Sequence, residues 1–194
     1  MQKIILASQS PRRRELLHLA EIDFEVIVAD TDESFPEGLS FEEAAVFIAK
    51  NKALAVAAKI DTDKIILAAD TIVVCNNKII GKPVDRSHAI EIITALSGNK
   101  HEVITGVYMF RDSKEISFAD TTSVTFHTLT QEQIVYYVDK YKPYDKAGAY
   151  AIQEWIGAVG IKNISGDFYN VMGLPISRVV VSLNDFFTVE NEFI

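Results

Sequence analysis

The sequence predicts a mixed α/β fold, a twisted mixed sheet with flanking helices. Three observations point there. Short apolar runs of strand type alternate with longer segments of helical period along the 194 residues. Helix-start signals stand at Ser10-Pro11, at Ser40 with Glu43, and at Thr130 with Gln133. Turn signals split other apolar runs at Asn76-Asn77 and at Ser165-Gly166-Asp167, and these hairpins count against a plain, strictly repeating βαβ chain.

The elements follow in order. Lys3–Ala7 reads as a first strand. Ser10 suits an N-cap and Pro11 the first helical position, so Pro11–Ala20 reads as a helix. Phe24–Val28 reads as a strand, and the Ser40/Glu43 capping box opens a helix to about Lys59. Ile65–Ala69 is a short apolar strand that ends at Asp70, and Ile72–Val74 and Lys78–Ile80 form a hairpin around Asn76-Asn77. Asp85 caps a helix to about Leu96, stopped by Ser97-Gly98. Glu102–Phe110 and Ser117–Thr125 pair across Arg111–Lys114. Thr130 and Gln133 open a helix over Gln131–Lys140. Gly157–Ile164 and Phe168–Val171 read as a second hairpin, and Pro175–Phe187 as a final helix.

Composition narrows the functional classes. With 48% hydrophobic and 24% charged residues, the chain reads as one globular domain over residues 1–194. A net charge of -8 opposes non-specific binding to nucleic acid or an anionic membrane, but leaves room for a small anion in a local basic setting. Cys75 is the only cysteine, which points to a reducing compartment and hence the cytoplasm. The opening MQKIILASQSPRRREL lacks the apolar run of a signal peptide, and no run reaches membrane-spanning length.

The candidate site residues come from charge and position. Ser8, Ser10, Arg12, Arg13 and Arg14 cluster where a strand meets a helix start. Free N–H groups and the positive dipole end already stand there, so an anion would relieve the arginine charge. The alternative is that the arginines splay into water or pair with Glu15. Asp70, at a strand end, has the position of a metal- or water-binding carboxylate, and equally that of a turn cap. Lys82, fixed between Gly81 and Pro83, can neutralise phosphate, or is merely solvated as most lysines are. Lys50 and Lys52 read as an exposed helix face or as phosphate partners. Glu33, in the acidic loop Asp30–Glu33, suits a hard cation or plain solvation. Gln153 offers a donor and an acceptor that match the imide edge of uracil or thymine, unless its loop is simply packed by Tyr150. The four histidines form no zinc-binding pattern, Cys75 reads as buried filler, and Trp155 and the phenylalanines read as core. No glycine-rich nucleotide fingerprint, Walker motif or nucleophile elbow is present.

Taken together and in order, six segments resemble the Maf family: LASQSPRRRELL at Leu6–Leu17, AADTIV at Ala68–Val73, GKP at Gly81–Pro83, LSGNKHEVITGV at Leu96–Val107, DKAGAYAIQ at Asp145–Gln153, and VMGLPIS at Val171–Ser177. The resemblance implies a fold related to inosine-triphosphate pyrophosphatases, with a site in a cleft between two lobes. It also implies house-cleaning hydrolysis of a nucleoside triphosphate to the monophosphate and pyrophosphate, Mg²⁺ or Mn²⁺ dependence, and a homodimer. By the same resemblance Asp70 is the catalytic base and a metal ligand with Glu33. Ser8, Arg13, Glu33, Lys52 and Lys82 match positions implicated in phosphate or metal handling. Arg12, Thr71 and Gln153 match the set of the subgroup acting on dTTP and UTP; the 7-methyl-GTP subgroup tends to carry Trp and Glu at the first and third of these. Two positions depart from the family pattern: Ala69 replaces a common glycine before the acid, and Glu154 replaces a glycine after the glutamine.

Overall fold

The computed structural model describes residues 3–188. Its strands are β1 (Ile4–Leu6), β2 (Phe24–Val26), β3 (Ile66–Cys75), β4 (Lys78–Ile80), β5 (Lys100–Arg111), β6 (Lys114–Phe126) and β7 (Ile161–Ser165). They form one seven-stranded sheet in the order β2-β1-β3-β5-β6-β7, with β4 paired to β3. The pairs β1–β2 and β1–β3 are parallel, while β3–β4 and β6–β7 are antiparallel. This is the mixed sheet expected from the sequence.

The helices are α1 (Pro11–Leu19), α2 (Phe41–Ala57), α3 (Arg86–Leu96), α4 (Gln131–Tyr141), α5 (Trp155–Gly160), α6 (Phe168–Met172) and α7 (Ile176–Thr188). The start signals work as the sequence implies. The Ser10 side chain accepts from Arg13 N–H, the Asp85 side chain from His88 N–H, and reciprocal capping boxes open α2 and α4. Asn76 and Asn77 both take left-handed φ (50° and 59°), the backbone of a two-residue hairpin turn between β3 and β4.

Two expectations fail. Asp70 does not end a strand: β3 runs unbroken through it to Cys75. The first part of β3 pairs with β1 (Leu6↔Leu67) and the last part with β4 (Val73↔Ile80), so the hairpin partner carries the strand onward. The second hairpin does not form either. Gly157–Gly160 is helical, and Asp167 accepts from Tyr169 N–H to start a helix where a strand was expected. Gly157 explains the first difference: a β-carbon there would lie 1.6 Å from Ile152 O, so only glycine permits this tight turn of chain.

Two compact units are present. Among the described residues, one comprises 3–70, 105–120 and 173–188; the other comprises 71–104 and 121–172. The core of the first is built on small residues. Ala49, Ala53 and Val56 of α2 pack on Ile5, Ala7, Ile66, Ala68 and Tyr108. Gly106 lets the helix approach its sheet, since a β-carbon there would sit 2.2 Å from the Ala45 carbonyl carbon. The core of the second gathers Ala89, Ile92, Ile93, Leu96, Ile134, Tyr137, Val138, Ala149 and Tyr150. Among the described residues, no helix is long and apolar enough to cross a membrane.

Candidate active site

In the first unit, β1 ends at Leu6 and the chain turns through Ser8 into α1. Ser8 and Arg13 are buried at this turn. The Ser8 Oγ accepts from Ser10 N–H (3.3 Å) and from Arg13 Nη1 (3.0 Å), and Arg13 Nε donates to Gly173 O (2.8 Å). The guanidinium therefore ties the turn to the VMGLPIS segment. Burial, reinforced by the neighbouring charge of Arg12, lowers its pKa; Asp70 and Glu33 oppose that shift. Arg13 thus lies within the electrostatic reach of both acids. Arg12 is half-buried and Arg14 exposed on the same helix.

Lys52 occupies the centre of the acidic group. Its Nζ lies 2.6 Å from Asp70 Oδ1 and 2.7 Å from Glu33 Oε1. The side chains of Lys52 and Asp70 are only 17% and 12% exposed, so this pair is weakly screened. Residues two apart on a helix point about 200° apart. Lys50 accordingly turns elsewhere, to Glu115 at 3.0 Å and over the Tyr108 ring. The expectation of an exposed helix face therefore fails for Lys52 alone. The acidic loop divides as well: Asp32 closes a local turn on Ser34, and Glu33 reaches Lys52.

The second unit holds Thr71, Lys82 and Gln153. Thr71 is half-buried on β3, while Lys82 and Gln153 are exposed. Lys82 follows Gly81, whose carbonyl accepts from Gly148 N–H (3.2 Å), and precedes a buried Pro83. Gly148 has φ 70°, and a β-carbon on it would press on Val73 at 3.1 Å. The DKAGAYAIQ segment and the GKP turn are thereby held together. Tyr150 is buried, and its hydroxyl lies 2.8 Å from His101 Nε2. Burial lowers the His101 pKa to about 4 and raises that of Tyr150. Gln153 lies within the turn closed by Glu154 N–H donating to Ala151 O (3.1 Å).

The residues set aside stay mostly where expected. His101 is core, and His18 and His127 are exposed. Cys75 is buried, and burial raises its pKa. Phe35 and Phe168 are exposed, and Trp155 is half-buried against Tyr136, so these aromatics are not the core that the sequence suggested. Sequence reasoning missed Gly173 as the acceptor for Arg13, and it missed Tyr137 and Lys146, which both engage Glu154. Glu154, as a departure from the family pattern, was the one available signal for the second group.

The fold and this charge set define an α/β protein that can hold an anionic ligand beside a buried guanidinium and an ammonium-bridged pair of acids. A family model described as Maf-like protein matches residues 3–186, and the chain belongs to that family. It is similar to a dTTP/UTP pyrophosphatase from Parabacteroides distasonis, 47% identical over 95% of this chain and 96% of that protein. A dTTP/UTP pyrophosphatase from Cytophaga hutchinsonii is 48% identical over 97% of this chain and 86% of its own. Among solved structures, the Ham1 protein of Staphylococcus aureus matches 93% of this chain and 100% of its own, at 18% identity and a TM-score of 0.49.

Proposed function

We propose that this chain hydrolyses dTTP and UTP to the monophosphate and pyrophosphate. The observation that carries the reading is the Glu33–Lys52–Asp70 group with Arg13 beside it, on a chain nearly half identical to relatives of that name over almost its whole length.

Hydrolysis requires water to attack the α-phosphorus while the bond to the bridging oxygen breaks and pyrophosphate leaves. Asp70 accepts the proton of the attacking water. Lys52 orients Asp70, and with Arg13 and Lys82 it offsets the negative charge that builds on the phosphates. Ser8 offers a hydroxyl to the same phosphate chain. Gln153 matches the imide edge of the pyrimidine, with Thr71 and Arg12 completing base selection.

The donor set fits a divalent cation. Two carboxylates already converge on one cationic point, and Mg²⁺ or Mn²⁺ is commonly held by one or two carboxylates together with substrate phosphates. Among the described residues no group of three or more His, Cys, Asp and Glu gathers, so substrate and water would complete the shell. Glu33 and Asp70 would hold the ion, which when bound supplies Lewis acidity to the phosphates. The acidic charge balance supports a nucleotide substrate over nucleic acid or membrane as partner. The homodimer belongs to the same reading through the family resemblance, and the cytoplasmic setting through the single cysteine.

The test is pyrophosphate release across a panel of nucleoside triphosphates with Mg²⁺ or Mn²⁺, for the wild type and Asp70→Asn. Wild type should act on dTTP and UTP ahead of 7-methyl-GTP. The variant should fold normally and lose at least about a thousandfold in kcat, the scale of a removed general base with its charge. A fully active variant would remove Asp70 from the mechanism.

A further inference from the structure

The Ala151–Glu154 turn that carries Gln153 has a second support, made by side chains. The hydroxyl of Tyr137, on α4, donates to Glu154 Oε2 and accepts from Ala151 N–H (3.2 Å). One phenolic group therefore bridges both ends of a turn whose backbone is already closed by Glu154 N–H and Ala151 O. Tyr137 is fully buried, stacked on Tyr141 with ring centroids 5.0 Å apart, and so cannot follow the turn if it moves. The other Glu154 oxygen lies 3.6 Å from the ammonium of Lys146, itself buried and held by Asp145 at 2.8 Å. Gln153 projects into solvent from the middle of this frame.

We infer that Tyr137 and Glu154 are positioning residues for base selection, fixing the turn so that the Gln153 side chain starts from one place beside the pyrimidine edge. The inference rests on the proposed base-reading role of Gln153. A terminal amide turns about a broad torsion and offers its donor and acceptor equally well either way round. How strongly it favours an imide over an aminopyrimidine depends on how closely it meets the base edge, and the place of its backbone sets that reach. The Glu154 carboxylate holds that place. Its charge is partly offset by Lys146, an ammonium it shares with Asp145.

The experiment compares Tyr137→Phe, Glu154→Ala, Glu154→Gln and Gln153→Ala, alone and with Gln153→Ala combined with Tyr137→Phe. Steady-state kcat and KM are measured for UTP and CTP, with thermal unfolding for each variant. Tyr137→Phe and Glu154→Ala should each narrow the UTP-to-CTP ratio of kcat/KM about five- to tenfold, the scale of one lost hydrogen bond, mainly through KM for UTP. Glu154→Gln still accepts from the phenol and should restore most of the ratio. In the Gln153→Ala background, Tyr137→Phe should change the ratio no further. A Tyr137→Phe effect equal for both bases and tracking lost stability, or one fully additive with Gln153→Ala, would overturn the inference. Were Gln153→Ala alone to leave the ratio untouched, the base-reading assignment would fall first and this one with it. A responsive Gln153→Ala beside a silent Tyr137→Phe would overturn the positioning role alone.

Discussion

Helices α2 and α4 begin alike. Ser40 with Glu43, and Thr130 with Gln133, close the same reciprocal capping box. What the two helices present is different. From α2 comes Lys52, a charge held between two acids drawn from a loop and a strand. Tyr137 of α4 is a neutral hydroxyl that braces a turn. The first arrangement adds to its two hydrogen bonds a Coulomb attraction between full charges, which weakens gradually with distance. The second works by hydrogen bonds that fail within a fraction of an ångström. The comparison teaches that charge can gather groups distant in sequence, whereas a turn is braced by hydrogen bonds from a side chain packed beside it.

The largest expected effect comes from breaking the charged side. Lys52→Met keeps the length of the side chain and removes the ammonium. Asp70 and Glu33 then lose the ammonium that lies between them, and Arg13 is left as a cation within electrostatic reach of both. Pyrophosphate release should fall at least about a hundredfold in kcat, consistent with the loss of a major electrostatic contribution. Retention of more than a tenth of wild-type kcat would show that Lys52 only fills space.

The neutral side has its own weak point, and it responds to acid. His101 is buried in the second unit, edge-on to Phe126 and Tyr150, with its pKa lowered to about 4 by burial. The ordinary histidine value is 6.5. Above that value the ring is neutral both folded and unfolded, and its contribution is fully present. As pH falls from 6.5 toward 4, the unfolded chain binds a proton that the folded chain refuses, and stability is lost. The loss approaches ~3 kcal/mol by pH 4, at 1.36 kcal/mol per pH unit. Thermal or urea unfolding between pH 7 and pH 4.5 should show that slope, and His101→Gln should flatten it. Equal slopes in the two proteins would place the acid sensitivity elsewhere.

Legibility followed the same division. Features set by a few adjacent residues could be read from sequence: the Ser10 cap, both capping boxes, and the Asn76-Asn77 turn with its two left-handed residues. Gathering the residue types of the charged group was also possible, because a loop acid, a strand acid and a helix lysine each suggested phosphate or metal chemistry. Choosing between Lys50 and Lys52 was not, since that depends on which helix face meets the sheet, and Gly106 on a distant strand sets the approach. Asp70 was misplaced at a strand end because the continuation of β3 depends on its pairing with β4. Gly157–Gly160 was read as strand because nothing local reveals that Ile152 O leaves no room for a β-carbon. Tyr137 carried no signal: in an amphipathic helix a tyrosine reads as core, and only the turn packed against it gives the hydroxyl a task.

The smallest effect is also the most direct comparison of the two helices, because the same substitution can be made in both. Ser40→Ala and Thr130→Ala each remove a cap and should each cost about 1 kcal/mol in unfolding. Their effects on activity should differ. Losing a cap loosens mainly the first turn, where the unpaired N–H groups lie. Lys52 sits twelve residues beyond Ser40, about 18 Å along the axis, whereas Tyr137 sits seven beyond Thr130, about 10 Å. The strut on α4 also tolerates less displacement than the ammonium on α2. Thr130→Ala should therefore narrow the UTP-to-CTP ratio by about twofold, a few tenths of a kcal/mol. Ser40→Ala should leave both kcat and that ratio unchanged. Equal effects of the two substitutions on base choice would mean that the cap acts on the whole domain and not through the element it begins.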